Sequence, residues 1–223
     1  MAGGIDRALR DALTRPLPYP PGVTEPQGPT LTTERLILRR WLERDRAPFA
    51  AMNADSQVMR YFVQPLSGPE SDALVDRIEA RFEERGFGLW AVERRDDGAF
   101  LGFTGLATTA SLGFVGPAES QLGPPPIPEA EIGWRFASFA WGHGYATEAA
   151  GAALRFGFQT AELPEIVSFT SNLNVASIRV MERIGLLRDP AGDFDHPRIP
   201  EGHPLRWQVL YRLTGAQFRT RGR

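Results

Sequence analysis

Residues 131–150, EIGWRFASFAWGHGYATEAA, decide the fold. Ile132, Trp134 and Phe136 alternate with smaller or polar neighbours, the period of two that marks a strand. The pattern breaks at Trp141, Gly142, His143 and Gly144. Beyond it Ala146, Ala149, Ala150, Ala153 and Leu154 sit in a run of good helix formers. The order is therefore strand, glycine loop, helix. The first N–H groups of a helix have no intrahelical partner, and the helix dipole adds partial positive charge there. Gly142 and Gly144 let the chain turn tightly and bring those N–H groups up to a ligand with no Cβ between them. A phosphate or pyrophosphate is the natural guest. Two glycines alone also fit an ordinary strand-to-helix turn. The loop is not a P-loop, since no Lys-Ser/Thr pair follows the glycines, and the dinucleotide pattern fails because Thr147 occupies its third glycine position.

The longer string is more specific. Trp141 to Ala146 resembles the acyl-CoA-binding signature of the GNAT superfamily of N-acyltransferases, Gln/Arg-x-x-Gly-x-Gly/Ala, with Trp141 in the first place. Continued through Thr147, Glu148 and Ala149, it is similar to the ribosomal-protein N-acetyltransferase (RimJ/RimL-like) branch, as is TERLILR at 33–39. Asn174 to Leu186 resembles the family's final helix, ending at Gly185. The resemblance spans roughly Leu31 to Leu213. It implies an α/β (α+β) fold: a central mixed, mostly antiparallel sheet of six or seven strands flanked by helices. It also implies acetyl-CoA as co-substrate, no metal, and a primary-amine acceptor, either a protein N-terminus or a small molecule. The pyrophosphate would lie on Trp141, Gly142, His143, Gly144, Tyr145, Ala146 and Thr147.

Amide formation from an amine and a thioester needs a neutral amine, a donor for the developing oxyanion, and a proton for the departing thiolate. A lysine-like amine has a pKa near 10, so a base must take its proton, directly or through water. Glu131 opens the strand where many GNAT enzymes carry a catalytic glutamate; the other reading is a strand-edge carboxylate paired with an arginine. The resemblance assigns oxyanion and pantetheine contacts to main-chain groups around Trp134 and Phe136, with the co-substrate added as a pseudo-strand. The family often protonates the thiolate with a Tyr on the last helix, and here that place is Met181. Asn174, Ser177 and Met181 share one helix face. The resemblance makes Asn174 and Ser177 co-substrate contacts and offers Ser177 as proton donor or thiol hydrogen-bond partner, against the alternatives of a helix-start serine bonded to backbone and of protonation by water. Met181 also admits a non-catalytic CoA-binding or scaffolding module. His143, His196 and His203 do not read as a metal set, and the ring of His143 is expected to point to solvent.

The 223 residues suit one domain with an appendage. The absence of cysteine excludes disulfides, thiolate metal sites and a cysteine nucleophile. A net charge of −2 does not suggest nucleic acid. No apolar run or leader pattern is evident, so the expected address is cytoplasmic. Residues 1–30 read as an N-terminal arm, a short helix and a proline-rich linker that could meet a second subunit in a homodimer. Residues 31–215 read as the acyltransferase domain and 216–223 as a basic tail. Strands are expected over 31–41, 89–93, 100–107, 165–170 and 208–213. Helices are expected over 43–53 and 68–85, the latter with a stripe of Leu74, Ile78 and Phe82. Residues 111–128 read as an inserted Gly/Pro-rich loop. The acceptor pocket is expected around Tyr61, Phe62, Trp90 and the His196–His203 turn.

Overall fold

Alternating apolar residues and tight glycine turns build the sheet first. The structure is a computed structural model and describes residues 28–108 and 130–221; most of the N-terminal arm and the expected 111–128 loop lie outside them. In chain order the strands are β1 (Leu31–Thr32), β2 (Leu36–Arg39), β3 (Leu89–Arg94), β4 (Phe100–Thr108), β5 (Ala130–Phe136), β6 (Glu165–Ser171), β7 (Leu187–Arg188), β8 (Phe194–Asp195) and β9 (Trp207–Thr214). The described residues form one nine-stranded sheet in the order β1-β2-β3-β4-β5-β6-β9-β7, with β8 also on β9. Six strands have four or more residues, and only β5 and β6 run parallel.

The helices are α1 (Glu43–Ala54), α2 (Gly68–Arg85), α3 (Tyr145–Gln159), α4 (Val175–Arg183) and α5 (Gly215–Arg221). Helix α2 has the expected bounds and its stripe of Leu74, Ile78 and Phe82 is buried; a cap not read from the sequence, Ser67 in a reciprocal box with Glu70, starts it and Gly86 ends it at φ +74°. Phe49 of α1 packs on Phe103 of β4, their ring centroids 5.9 Å apart. On the opposite face Phe156 of α3 packs on Trp90 of β3 at 5.2 Å. The faces differ because Phe103 stands opposite Ala91, the neighbour of Trp90, and successive strand side chains alternate.

The single strand expected over 31–41 is corrected. The chain folds back at Thr33–Arg35, so that Leu31 pairs with Leu38. Thr33 holds this turn: its hydroxyl accepts from the Leu36 N–H at 3.0 Å. Arg39 then ties β2 to α1 by a bidentate pair with Asp45, at 2.6 and 2.9 Å, and also reaches Glu93. The basic residues after 215 belong to α5, where Phe218 stacks on Phe158 at 4.8 Å.

Candidate active site

The parallel pair β5–β6 is the opening around which the site is built. The two strands register at one point, Glu131 opposite Val167, and diverge beyond it. On its other side β5 is paired with β4 along its whole length. The Ala137 N–H donates to the Leu101 carbonyl at 2.9 Å. Alternation in an antiparallel ladder then turns the main-chain groups of Arg135, Gly133 and Glu131 toward β4, and those of Ile132, Trp134 and Phe136 toward the gap. The predicted main-chain contacts at Trp134 and Phe136 thus face a strand edge that no described strand pairs beyond Glu131. β4 is held close to β5 by Gly102, where a Cβ would stand 2.1 Å from the Arg135 carbonyl oxygen.

The gap ends at the glycine loop. Gly142 and Gly144 both adopt φ +79°, the left-handed region that favours glycine. Gly144 is the N-cap of α3 and supplies no side-chain acceptor. The Glu148 N–H is the first to bond back, to Gly144. The N–H groups of Tyr145, Ala146 and Thr147 have no partner among the described residues, the condition of an anion seat. Trp141, which stands where the signature has Gln or Arg, donates its indole N–H to the Phe136 carbonyl at 2.8 Å. A donor that ties the loop to the strand end is a role all three residue types can fill. The His143 ring is exposed yet stacks on Tyr145 at 5.4 Å, which qualifies the expected solvent orientation.

One bracing cluster was not read from the sequence. Glu148 accepts from the Thr33 hydroxyl at 2.6 Å, the Arg35 backbone N–H at 2.9 Å and Arg35 Nε at 2.7 Å. Arg35 Nη1 also donates to the His143 carbonyl at 2.9 Å, and its guanidinium lies over the Tyr145 ring. Burial pushes the Glu148 carboxyl up, but the hydrogen bonds from Thr33 and Arg35 outweigh it and hold it below its ordinary value. The available signal was two separate family-like strings, one holding Thr33 and Arg35 and the other Glu148, and nothing local pairs segments so far apart. Glu148→Ala is expected to weaken acetyl-CoA binding by about tenfold, the scale of one or two charge-assisted hydrogen bonds. Calorimetric titration beside a melting curve checks this, and the melting temperature should fall as well, because the Glu148 side chain is only 18% exposed and accepts three hydrogen bonds.

Glu131 lies at the apex of the gap. It is half-buried, makes no hydrogen bond or ion pair with a described residue, and is pushed up to about 8 by burial. The paired-carboxylate alternative therefore finds no arginine among the described residues. Its Oε1 lies 4.0 Å from where a Cβ on Gly133 would be, so the strand surface beside the carboxylate carries no side chain. Val167 and Phe169 share that face of the sheet, and Phe169 packs on Phe194 at 5.2 Å and on His196 at 6.2 Å. Burial, with Arg198 and Arg206 nearby, pushes His196 down to about 4, so its ring is neutral near pH 7. Arg135, on the same face, donates to Asn53 Oδ1 at 2.5 Å and lies over Phe62 at 4.2 Å.

On the far side of the gap, Asn174 is the N-cap of α4. Its carbonyl accepts from the Ser177 N–H at 3.2 Å and its amide donates to the Thr170 hydroxyl at 3.1 Å. The side chain that the resemblance assigned to the co-substrate is thus engaged within the chain. The hydroxyl of Ser177 is half-buried and has no partner among the described residues, and Met181 is fully buried. No group of three His, Cys, Asp or Glu among the described residues is placed to hold a metal, and no described helix is long and apolar enough to cross a membrane.

A splayed parallel pair, a helix start with unpartnered N–H groups at its mouth and, at its apex, a carboxylate with no ionic partner among the described residues are the features of an acyltransferase that works on a CoA thioester. The chain belongs to the GNAT acetyltransferase family: the family model for the acetyltransferase (GNAT) domain matches residues 35–187. It is 32% identical over 157 residues to the uncharacterized protein YkkB of Bacillus subtilis, covering 70% of this chain and 84% of that one. It is 28% identical to an acetyltransferase from Agrobacterium tumefaciens, with a TM-score of 0.62, covering 86% of this chain and 97% of that one. The structure of Mycobacterium smegmatis RimJ in complex with CoA-disulfide shares the fold at 18% identity, with a TM-score of 0.60 over 84% of this chain and 90% of that one. The chain is accordingly an acetyl-CoA-dependent acetyltransferase, and the non-catalytic alternative prompted by Met181 is not favoured.

Proposed function

We propose that this acetyltransferase belongs to the RimJ/RimL-like branch and moves the acetyl group of acetyl-CoA directly to a primary amine in a ternary complex. The acceptor is a protein N-terminus or a small molecule. The observation that carries the reading is the placing of Glu131. Its carboxylate stands where the two strands part, beside the bare position at Gly133, on a face lined by Phe169. In this reading the amine enters from the α1 face and loses its proton to Glu131. The pantetheine arm pairs with the free main-chain edge of β5, and the N–H groups of Trp134 and Phe136 are available to the thioester oxygen as it gains charge. The diphosphate sits on the N–H groups of Tyr145, Ala146 and Thr147. Ser177 donates the proton to the departing thiolate, a role that the buried thioether of Met181 cannot take.

The acceptor side is bounded by Phe62, Phe169 and the turn that carries His196. A neutral imidazole and aromatic rings line this side, with the Arg135 guanidinium over the Phe62 ring. The test is release of free CoA against a panel of N-terminal peptides and small amines. At least one amine is expected to give turnover that saturates with acceptor, and the same rate as background hydrolysis across the whole panel would overturn the proposal.

A further inference from the structure

Three arginines among the described residues are buried: Arg39, Arg40 and Arg135, none more than 6% exposed. Arg39 is paired with Asp45 and Glu93, and Arg40 with Glu79 and Glu83. Arg135 has no carboxylate partner among the described residues. Its Nη1 donates to Asn53 Oδ1, its Nε is buried without a hydrogen bond, and its guanidinium lies over the rings of Phe62 and Phe103 at 4.2 and 5.5 Å. Burial, with no charged neighbour to offset it, pushes the group down to about 9. Ring faces and a neutral amide offset part of the cost of burying a cation, but a buried charge ordinarily has a counter-charge. Here the chain supplies none from its described residues.

The guanidinium is held in place. The Asn53 amide donates to Ser71 Oγ at 3.0 Å, which turns its carbonyl oxygen, in the last turn of α1, to Arg135. With Nη1 engaged there, the free edge of the fork is Nε with Nη2. An edge of that kind takes a carboxylate through two parallel hydrogen bonds. Arg135 also shares one face of β5 with Gly133 and Glu131, so a bare strand position separates the cation from the base. Four strand residues span about 13 Å, and allowing about 3 Å for a hydrogen bond at each end leaves roughly 7 Å between the two groups of a ligand that touches both.

We propose that Arg135 receives a carboxylate of the acceptor, so that the enzyme acetylates amines that carry an acid group several bonds from the nitrogen. The inference rests on the acceptor reading above and deepens it. The nitrogen lies at Glu131, the connecting chain passes over Gly133 beside Phe62, and the carboxylate closes on Nε and Nη2 of Arg135. The acid group comes either from a small amino carboxylate or from an acidic side chain next to a peptide N-terminus, because both place it at that span.

The experiment measures kcat/KM for two matched pairs of acceptors with the full chain and acetyl-CoA. One pair is 6-aminohexanoate and 6-aminohexanamide. The other is the C-terminally amidated tripeptides Ser-Glu-Ala and Ser-Gln-Ala. Within at least one pair wild type should favour the carboxylate by about 10- to 100-fold, the scale of a charge-assisted pair. A preference in the first pair assigns the acceptor to small amino carboxylates, and in the second to peptide N-termini; either supports the proposal. In Arg135→Met the preference should fall toward one, and Arg135→Lys, which keeps the charge and loses the fork, should retain part of it. Melting curves verify that the variants fold, and the wild-type comparison stands without them. Equal kcat/KM within both pairs, or no turnover of either pair while another amine is acetylated, overturns the proposal and leaves the acceptor reading intact. An undiminished preference in Arg135→Met overturns the assignment to Arg135. Absence of turnover with every amine tried removes the acceptor reading, and the proposal with it.

Discussion

Glu131→Gln lowers the rate of acetyl transfer by about 10²- to 10⁴-fold, the usual worth of a positioned general base, and leaves acetyl-CoA affinity unchanged. The carboxylate stands at the apex of the gap, away from the helix start that receives the diphosphate, so the substitution removes proton transfer and not carrier binding. A base pushed up to about 8 by burial also sets the pH profile. In wild type, kcat/KM should climb steadily with pH as the carboxyl ionises and lose that dependence above about 8. The Gln variant should lack this ionisation. Stability moves the other way. The folded-state pKa lies above the ordinary value of 4.5, so the folded chain holds this proton more tightly than the unfolded chain. The contribution is fully present below pH 4.5 and is lost as pH rises through about 8. Glutamine does not titrate, so the variant should melt higher than wild type at pH 8, and the advantage should vanish near pH 4.5. A variant with wild-type turnover at saturating acceptor would sink the assignment of Glu131 as base.

Gly144→Val is the second large effect. Acetyl-CoA binding is expected to fall by about 100-fold or more, the loss of roughly two hydrogen bonds to a charged group. Gly144 sits at φ +79°, where a β-branched residue is strained by about 1–3 kcal/mol, so the loop shifts to relieve it. The shift moves the N–H groups of Tyr145, Ala146 and Thr147 off the diphosphate. A Cβ there would also lie 3.6 Å from Arg35 Nη2, in the brace that holds the His143 carbonyl. Calorimetry with acetyl-CoA measures the loss. Gly142→Ala is a second, milder perturbation of the same loop: it has the same φ but its added Cβ meets nothing within 4 Å, so a smaller loss of affinity is expected. Affinity retained in Gly144→Val would mean that the diphosphate lies elsewhere.

Much of the local structure around the candidate site was legible along the chain because it depends on near neighbours. The turn at Gly142 and Gly144 and the helix that follows are written in adjacent residues. The stripe of Leu74, Ile78 and Phe82 repeats at helical spacing and is buried as that spacing requires. The division of 31–41 into β1 and β2 was not legible. What breaks it is Thr33 and Arg35 bonding to Glu148, a residue that only folding brings near. The capping role of Asn174 was obscured for a related reason: a family likeness marks a position without saying which atoms its amide already serves.

Residue order by itself determined the strand, loop and helix at 131–159, the exposed N–H groups at the helix start, and the presence of a glutamate at the head of the strand. These follow from side-chain period and from the backbone freedom of glycine, which act over a few residues. Tertiary structure alone decided that β5 and β6 touch at one point and then part, which frees a strand edge for a ligand. It also decided that the Glu131 carboxyl is partly buried with no ionic partner among the described residues, and that four arginines from three helices share one groove. Each of these depends on groups far apart in the chain, whose separation is set by how the elements pack and not by their spacing in sequence.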